Sequence, residues 1–247
     1  MPDLITTVKQ LRNEGLTQYQ VADVLGVTQS YISGIENGKY SGRNRNLHRC
    51  LRHNAFTTQS PEADFWAGFI AADGSIRHDR HELKFGLQIR DVEFLKDFAS
   101  WIGSHHKLGN YIDRQGHESC TLVFQSKQII TDLQRHYNIG PQKSLTLQPP
   151  NRKSMSFVSG YWMGNGHIEL SSQRDWTTGF AGTPALLKWV RHFFCDLSSA
   201  AVRPMNAAWR LTYGGNTLVP QVCWRIFEHA PWHIQRKFDL YREMINE

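Results

Sequence analysis

No apolar run in this 247-residue chain approaches the roughly 20 residues that a membrane span needs. The opening residues, MPDLITTVKQLRNEG, lack a basic segment followed by an apolar core, so no secretory signal is expected there. Cysteine is scarce. Cys50, Cys120, Cys195 and Cys223 form no CxxC pair, which argues against a disulfide framework and for reduced thiols in a cytoplasmic setting. Cys50 and His53 have metal-ligand spacing, but no second such pair accompanies them, so a zinc site is not expected. One stretch lacks acids altogether: from Lys39 to His53 there are five Lys or Arg and no Asp or Glu.

What is present points to a folded, basic protein. Hydrophobic residues make up 40% and aromatics 12%, which excludes a disordered chain, and the length allows one large domain or two with a sizeable core. A net charge of +6 favours a polyanionic partner, most often nucleic acid.

The first forty residues read as three short helices. Leu4, Ile5, Val8 and Leu11 give an amphipathic stripe ended by Gly15. Thr17 caps QYQVADVL, Gly26 turns the chain, and Thr28 caps QSYISGIEN. Ala22, Gly26 and Ile32 fall where a helix-turn-helix needs a small residue, a turn and a core anchor. This segment resembles the helix-turn-helix of phage-type and resolvase-type DNA-binding proteins. In such a unit the third helix enters the major groove. Gln29, Ser30, Tyr31 and Ser33 are the expected base readers, with Lys39, Arg43 and Arg45 on phosphates. The expected boundaries are a helix-turn-helix domain over 1–40, a basic linker over 41–60, and two further halves over 61–150 and 151–247.

Those halves repeat one pattern. FWAGFIAADGSI at 65–76 returns as FVSGYWMGNGHI at 157–168. The first copy is preceded by Ser60 at an N-cap and Pro61 at the first helical position. After Asp73-Gly74 comes an alternating strand, with Leu83, Phe85, Leu87 and Ile89 on one face and Glu82, Lys84, Gln88 and Arg90 on the other. A helix over 91–103, two strands around 107–126 and a helix over 127–139 follow. The second half repeats the order. It has strands at 167–172 and 175–182 and a helix over 184–197. Two more strands include Trp209, Leu211 and Tyr213 against Arg210 and Thr212, and a helical C-terminus closes the chain. An internal duplication of an αββαββα unit is the simplest account.

The paired stretches resemble the two motifs of LAGLIDADG homing endonucleases in their single-chain form, over about residues 60–247. WAGFIAADG matches closely and VSGYWMGNG is degenerate, while QKSLTL and IQRKF add to the likeness. The resemblance implies an α+β fold, a pseudo-symmetric duplicated αββαββα LAGLIDADG domain with a small all-α helix-turn-helix domain at the N-terminus. Two helices would pack side by side at Ala67, Gly68 and Ala71 against Ser159, Gly160 and Gly164. Residues 73 and 165 would then meet at the helix ends, with the following glycines letting the chain leave sharply. There the resemblance implies Mg²⁺ or another divalent cation, held by Asp73, Asn165 and the carbonyls of Ala72 and Gly164, with Lys143 and Lys237 near the two centres. It further implies a strand saddle on double-stranded DNA, presenting Arg77, Arg80, Lys84, Gln88 and Arg90 from the first half and Glu169, Ser171, Arg210 and Thr212 from the second. A monomer would then read a long asymmetric site, in the cytoplasm of a bacterial or phage-infected cell, the gene riding on an intron or a phage.

Asn165 stands where the first motif has an acid. It offers a neutral oxygen, cannot offset a cation's charge and is no base. Two accounts fit: drift toward a nicking enzyme or a pure DNA binder, or a deliberate Asp-to-Asn exchange that keeps binding without cutting. The otherwise intact second half favours the exchange, and on that account Asn165→Asp is expected to give double-strand cleavage. Competing expectations are a non-catalytic transcription regulator and an RNA-splicing maturase. A-form RNA gives a helix-turn-helix little access to its deep major groove, which disfavours the latter.

Overall fold

The structure, a computed structural model, describes residues 4–38, 51–112, 115–140, 142–172, 174–205 and 208–246. The chain divides into two compact units, Met1–Cys50 and Leu51–Glu247.

The first unit holds helices α1 (Leu4–Asn13), α2 (Gln18–Leu25) and α3 (Gln29–Glu36). Thr17 and Gln20 form a reciprocal capping box at the start of α2. Gly26 ends that helix at φ +64°, a left-handed conformation that glycine adopts without strain. Val8, Val21, Ala22, Ile32 and Ile35 make its core. A polar chain ties the three helices: Glu36 accepts from Arg12 and Gln18, and Gln18 accepts from Gln29.

The second unit begins earlier than expected. Residues 41–50 lie outside the described residues, but Phe56 is fully buried, with its ring 5.2 Å from Trp101 and 6.3 Å from Tyr137. Residues 51–60 are therefore packed structure, not linker, because an aromatic side chain there completes the core.

Its elements are α4 (Pro61–Asp73), β1 (Ser75–Arg77), β2 (Glu82–Gln88), α5 (Val92–Trp101), β3 (Gly109–Ile112), β4 (Glu118–Gln125), α6 (Lys127–Tyr137) and the single turn α7 (Lys143–Thr146). The second half follows with α8 (Met155–Asn165), β5 (Gly166–Leu170), β6 (Trp176–Gly182), α9 (Pro184–Arg191), β7 (Val202–Met205), β8 (Ala208–Gly214), α10 (Leu218–Glu228) and α11 (Gln235–Asn246). Each half carries one antiparallel four-stranded sheet, ordered β1-β2-β4-β3 and β5-β6-β8-β7. The fold is α+β with the duplicated order read from the sequence.

Ser60 and Ser154 cap α4 and α8, each hydroxyl accepting from the N–H three residues on. Every residue from Ala63 to Ala71 is buried in α4, and every residue from Ser156 to Met163 in α8. Helices apolar on all sides belong in the middle of a molecule. These two pack on each other more extensively than any other pair of elements among the described residues. Aromatic rings surround them: Trp66 lies 4.9 Å from Phe98 and from Trp232, and 5.1 Å from Phe94.

Two expectations need correction. The alternation of β2 stops at Gln88, and Ile89–Asp91 form a 3₁₀ turn, so Arg90 lies beyond the strand. The helix expected over 184–197 ends at Arg191 and continues as turns. The glycines that follow the two helices, Gly74 and Gly166, have φ of −67° and −91°. Glycine is required there for space: a Cβ on Gly166 would stand 2.2 Å from Trp162 Cδ1, and one on Gly74 2.8 Å from the Ile70 carbonyl.

Candidate active site

Backbone proximity creates the site. A Cβ on Gly68 would lie 2.0 Å from the Phe157 carbonyl oxygen, and one on Gly160 1.8 Å from that of Phe65. With no side chain at these crossing points, α4 and α8 come into backbone contact there, and toward the C-termini Gly164 meets the side chains of Ala72 and Asp73. A Cβ on Gly164 would be 3.1 Å from the Asp73 carboxylate. The end of α4 and the end of α8 therefore meet, as the duplicated motif requires.

Helix C-termini expose unpaired carbonyls and partial negative charge. Each end here is closed by a lysine. Lys143 Nζ donates to the carbonyls of Ala71 and Ala72, both at 2.7 Å. Lys237 Nζ donates to those of Trp162, Met163 and Gly166 at 2.8, 2.9 and 2.7 Å, and lies 4.7 Å from the centre of the Trp162 ring. Lys237 is only 2% exposed. It is positioned by its neighbour Arg236, whose Nε is 3.2 Å from both oxygens of the nearly buried Asp91, an ion pair that pins α11 of the second half to the first half. Burial lowers both lysines, Lys143 to about 8 and Lys237 to about 7, against a partial pull upward from Asp73.

Asp73 keeps access to solvent at the tip of α4, yet protein crowds its carboxyl. That desolvation raises its pKa above the ordinary carboxylate value, and the cations Lys237, Lys143 and Arg236 offset only part of the rise. The second centre differs. Asn165 Nδ2 donates to the Tyr161 hydroxyl at 3.2 Å, and that hydroxyl donates to the Ala181 carbonyl at 2.8 Å. Burial pushes the Tyr161 phenol up to about 12, so it stays protonated.

The fit to a divalent cation is partial. Among the described residues no group of three or more His, Cys, Asp and Glu could hold a metal. Asp73 and Asn165 end the two meeting helices, and Gly164 lies beside the Asp73 carboxylate; carboxylate, amide and main-chain oxygens are the kind of donor that suits a hard cation keeping several waters. The Ala72 carbonyl, also expected in that set, accepts from the Lys143 ammonium, which occupies one of its two lone pairs.

The sheets place most of the expected DNA-facing residues on their outward faces. In the first sheet Lys84 and Gln88 are exposed, level with Val123 and Ser119 of β4. Arg77 and Arg80 are exposed but both approach Asp79, at 3.5 and 3.7 Å. In the second sheet Arg210 and Thr212 are exposed as expected. Arg203, paired in register with Arg210, stands beside it and was missed, since only the β7–β8 register brings the two together. Trp209, expected on one face with Leu211 and Tyr213, is 37% exposed and borders a solvent-open cavity of about 340 Å³ beside Lys143 and Asn165. Glu169 is exposed and accepts from the Thr177 hydroxyl at 3.3 Å. Ser171 instead holds the β5–β6 turn, accepting from the Asp175 N–H at 3.0 Å.

In the N-terminal unit only Ser30 of the four expected readers is fully exposed. Gln29 is bonded to Gln18, Ser33 accepts from Asn37 at 3.2 Å, and Tyr31 packs against the small core. Lys39, Arg43 and Arg45 lie outside the described residues.

Comparison with known proteins agrees with this anatomy. A helix-turn-helix family model matches residues 8–47. No curated protein matches the chain by sequence. Among solved structures, the LAGLIDADG homing endonuclease I-GzeII in complex with a DNA target is similar at TM-score 0.53 and 10% identity, over 76% of this chain and 89% of that one. The LAGLIDADG meganuclease I-AabMI bound to uncleaved DNA is similar at 0.51 and 11%, over 76% and 90%. I-LtrWI, a LAGLIDADG homing endonuclease bound to target DNA, is similar at 0.50 and 9%, over 75% and 90%. Low identity with matching architecture leads to one conclusion: the chain carries the fold of the LAGLIDADG homing endonucleases behind an N-terminal helix-turn-helix.

Proposed function

We propose that this protein is a site-specific, metal-dependent DNA endonuclease whose activity is centred on Asp73. Fold alone does not fix function, and one observation carries the reading: the ends of α4 and α8 meet with a carboxylate, an amide, a buried lysine and a half-buried lysine gathered around them. A bound divalent cation would supply an activated water and charge neutralisation at the scissile phosphate. Asp73 and the side-chain oxygen of Asn165 would hold it, with Gly164 adding a carbonyl. Lys143 and Lys237 keep the helix ends closed and, in their protonated forms, put positive charge where negative charge develops during phosphodiester hydrolysis. The outward strand faces, with Lys84, Gln88, Arg203, Arg210 and Thr212, would lie against the duplex, and Ser30 would lead the reading by α3. A single chain with two unlike halves suits a long, asymmetric target and needs no second copy.

The test is direct. Target sites selected from a random duplex library are embedded in supercoiled plasmid and incubated with Mg²⁺. Asp73→Asn is expected to lower cleavage at least about 100-fold while leaving affinity within a few-fold of the parent. A parent protein that binds its site and leaves both strands whole at every divalent cation would overturn the reading. That outcome would favour a non-catalytic transcription regulator, a reading supported by the neutral Asn165.

A further inference from the structure

Asn165 is part of a larger local arrangement. The Ala181 carbonyl can only accept, so the Tyr161 hydroxyl proton points to it, at 2.8 Å. The phenol oxygen is then an acceptor toward residue 165, and of asparagine and an ionised aspartate only the amide can supply the proton. Asn165 does so through Nδ2 at 3.2 Å, which leaves Oδ1 as the atom able to face a ligand. The hydroxyl also needs room. A Cβ on Gly182 would stand 2.3 Å from it.

The first half is built otherwise at each of these positions. Phe69 lies four residues before Asp73, as Tyr161 lies four before Asn165. Ser75 and His167, two residues past the helix ends, pair with Lys84 and Gly179. Three residues further along those strands are Leu87 and Gly182. Phenylalanine, aspartate and leucine in one half thus answer tyrosine, asparagine and glycine in the other. A lone exchange at 165 would leave the tyrosine and the glycine unaccounted for.

We propose that Tyr161, Asn165 and Gly182 form a matched set that makes the second centre a neutral one by construction, with Tyr161 as the positioning residue that fixes the orientation of the Asn165 amide. Resting on the nuclease reading, this implies that the protein cuts one strand only, the strand served by Asp73. Changing residue 165 alone will not convert the second centre into a copy of the first. With a carboxylate there, one phenol proton faces two acceptors, and either the Ala181 carbonyl or the introduced carboxylate loses its donor.

A double-mutant cycle tests this on the full chain without metal. Melting is followed by circular dichroism at pH 8 for the parent, Tyr161→Phe, Asn165→Asp and the double variant. Tyr161→Phe is expected to lower Tm by about 3 °C in the parent background and to leave it unchanged or raise it in the Asn165→Asp background. Equal decreases in both backgrounds would overturn the proposal. Plasmid cleavage with Mg²⁺ gives the second readout: the parent and Asn165→Asp nick, and the double variant linearises. Linearisation by Asn165→Asp as fast as by the double variant would also overturn it. If no variant cuts, the nuclease reading fails, and the melting cycle still decides whether the matched set exists.

Discussion

At the scale of single residues, the two lysines are held in environments that oppose their charge. Lys237 is almost fully buried, and its hydrogen-bond partners among the described residues are three main-chain carbonyls, which favour the ammonium but do not neutralise it. Its pKa of about 7 lies below the unfolded value of roughly 10.4. Between those values the unfolded chain binds the extra proton, so stability rises as pH rises from about 7 toward 10. Below that window both states are protonated and the penalty is constant. Lys237→Met is expected to flatten this rise, seen as a smaller increase in Tm from pH 7 to 10 than the parent shows. Asp73 titrates on the acid side. In the metal-free protein its carboxyl is expected to take up a proton at a pH above that of an ordinary aspartate, a displacement to be read from an NMR titration of the Asp73 carboxyl without divalent cation. The lysines' roles could not be derived from spacing, because Lys143 lies 71 residues beyond Ala72 and Lys237 lies 75 beyond Trp162. Resemblance alone pointed to them. The Tyr161–Asn165 contact, four apart on one helix, was open to inspection in the sequence. The strand residues Ala181 and Gly182 that give it meaning were not.

Secondary-structure elements were far more legible, for a local reason. Serine or threonine N-caps with proline at the first helical position, Ser60-Pro61 and Thr183-Pro184, act within a few residues, and they start α4 and α9 as expected. The strict alternation of β2 survives because its inward face enters the core. Failures lie where tertiary contact decides. Phe56 is drawn into the core out of a polar stretch, and β2 ends before its alternating pattern does. The crossing of α4 and α8 is also tertiary, and it is the element-level feature on which the site depends. Gly68→Ala or Gly160→Ala would place a methyl inside the facing carbonyl, and backbone cannot give way as a flexible side chain can. Each is expected to destabilise the second unit by about 3 kcal/mol or more, measured by chemical denaturation. Ala67→Gly, which adds no atoms, serves as the control and is expected to lose only about 2 kcal/mol, from helix propensity and the buried methyl together.

For the molecule as a whole, two units on one chain raise the question of what each contributes to DNA binding. Every duplex presents the same phosphates, so basic side chains give grip, while exposed polar side chains at base edges give sequence preference. The second unit carries Arg203 and Arg210 side by side on an outward strand face, and in the first unit Ser30 is the only fully exposed residue of the four expected readers on α3. Changes at these places should therefore act differently. Arg203→Ala and Arg210→Ala, if each removes one phosphate contact, are expected to weaken binding at all sequences and to reduce the slope of log affinity against log salt by about 1 each. Ser30→Glu puts a charge that phosphate repels at the start of the recognition helix. Sites selected from a random library by that variant are expected to lose sequence preference at one end and keep it across the remainder. The local effect follows if the N-terminal unit reads a separate segment, with tethering adding affinity through effective concentration. Loss of preference across the whole site would mean that the two units read one inseparable surface. An unchanged site would mean that the N-terminal helices supply grip without reading bases, and the full length of the recognised sequence would then belong to the two sheets.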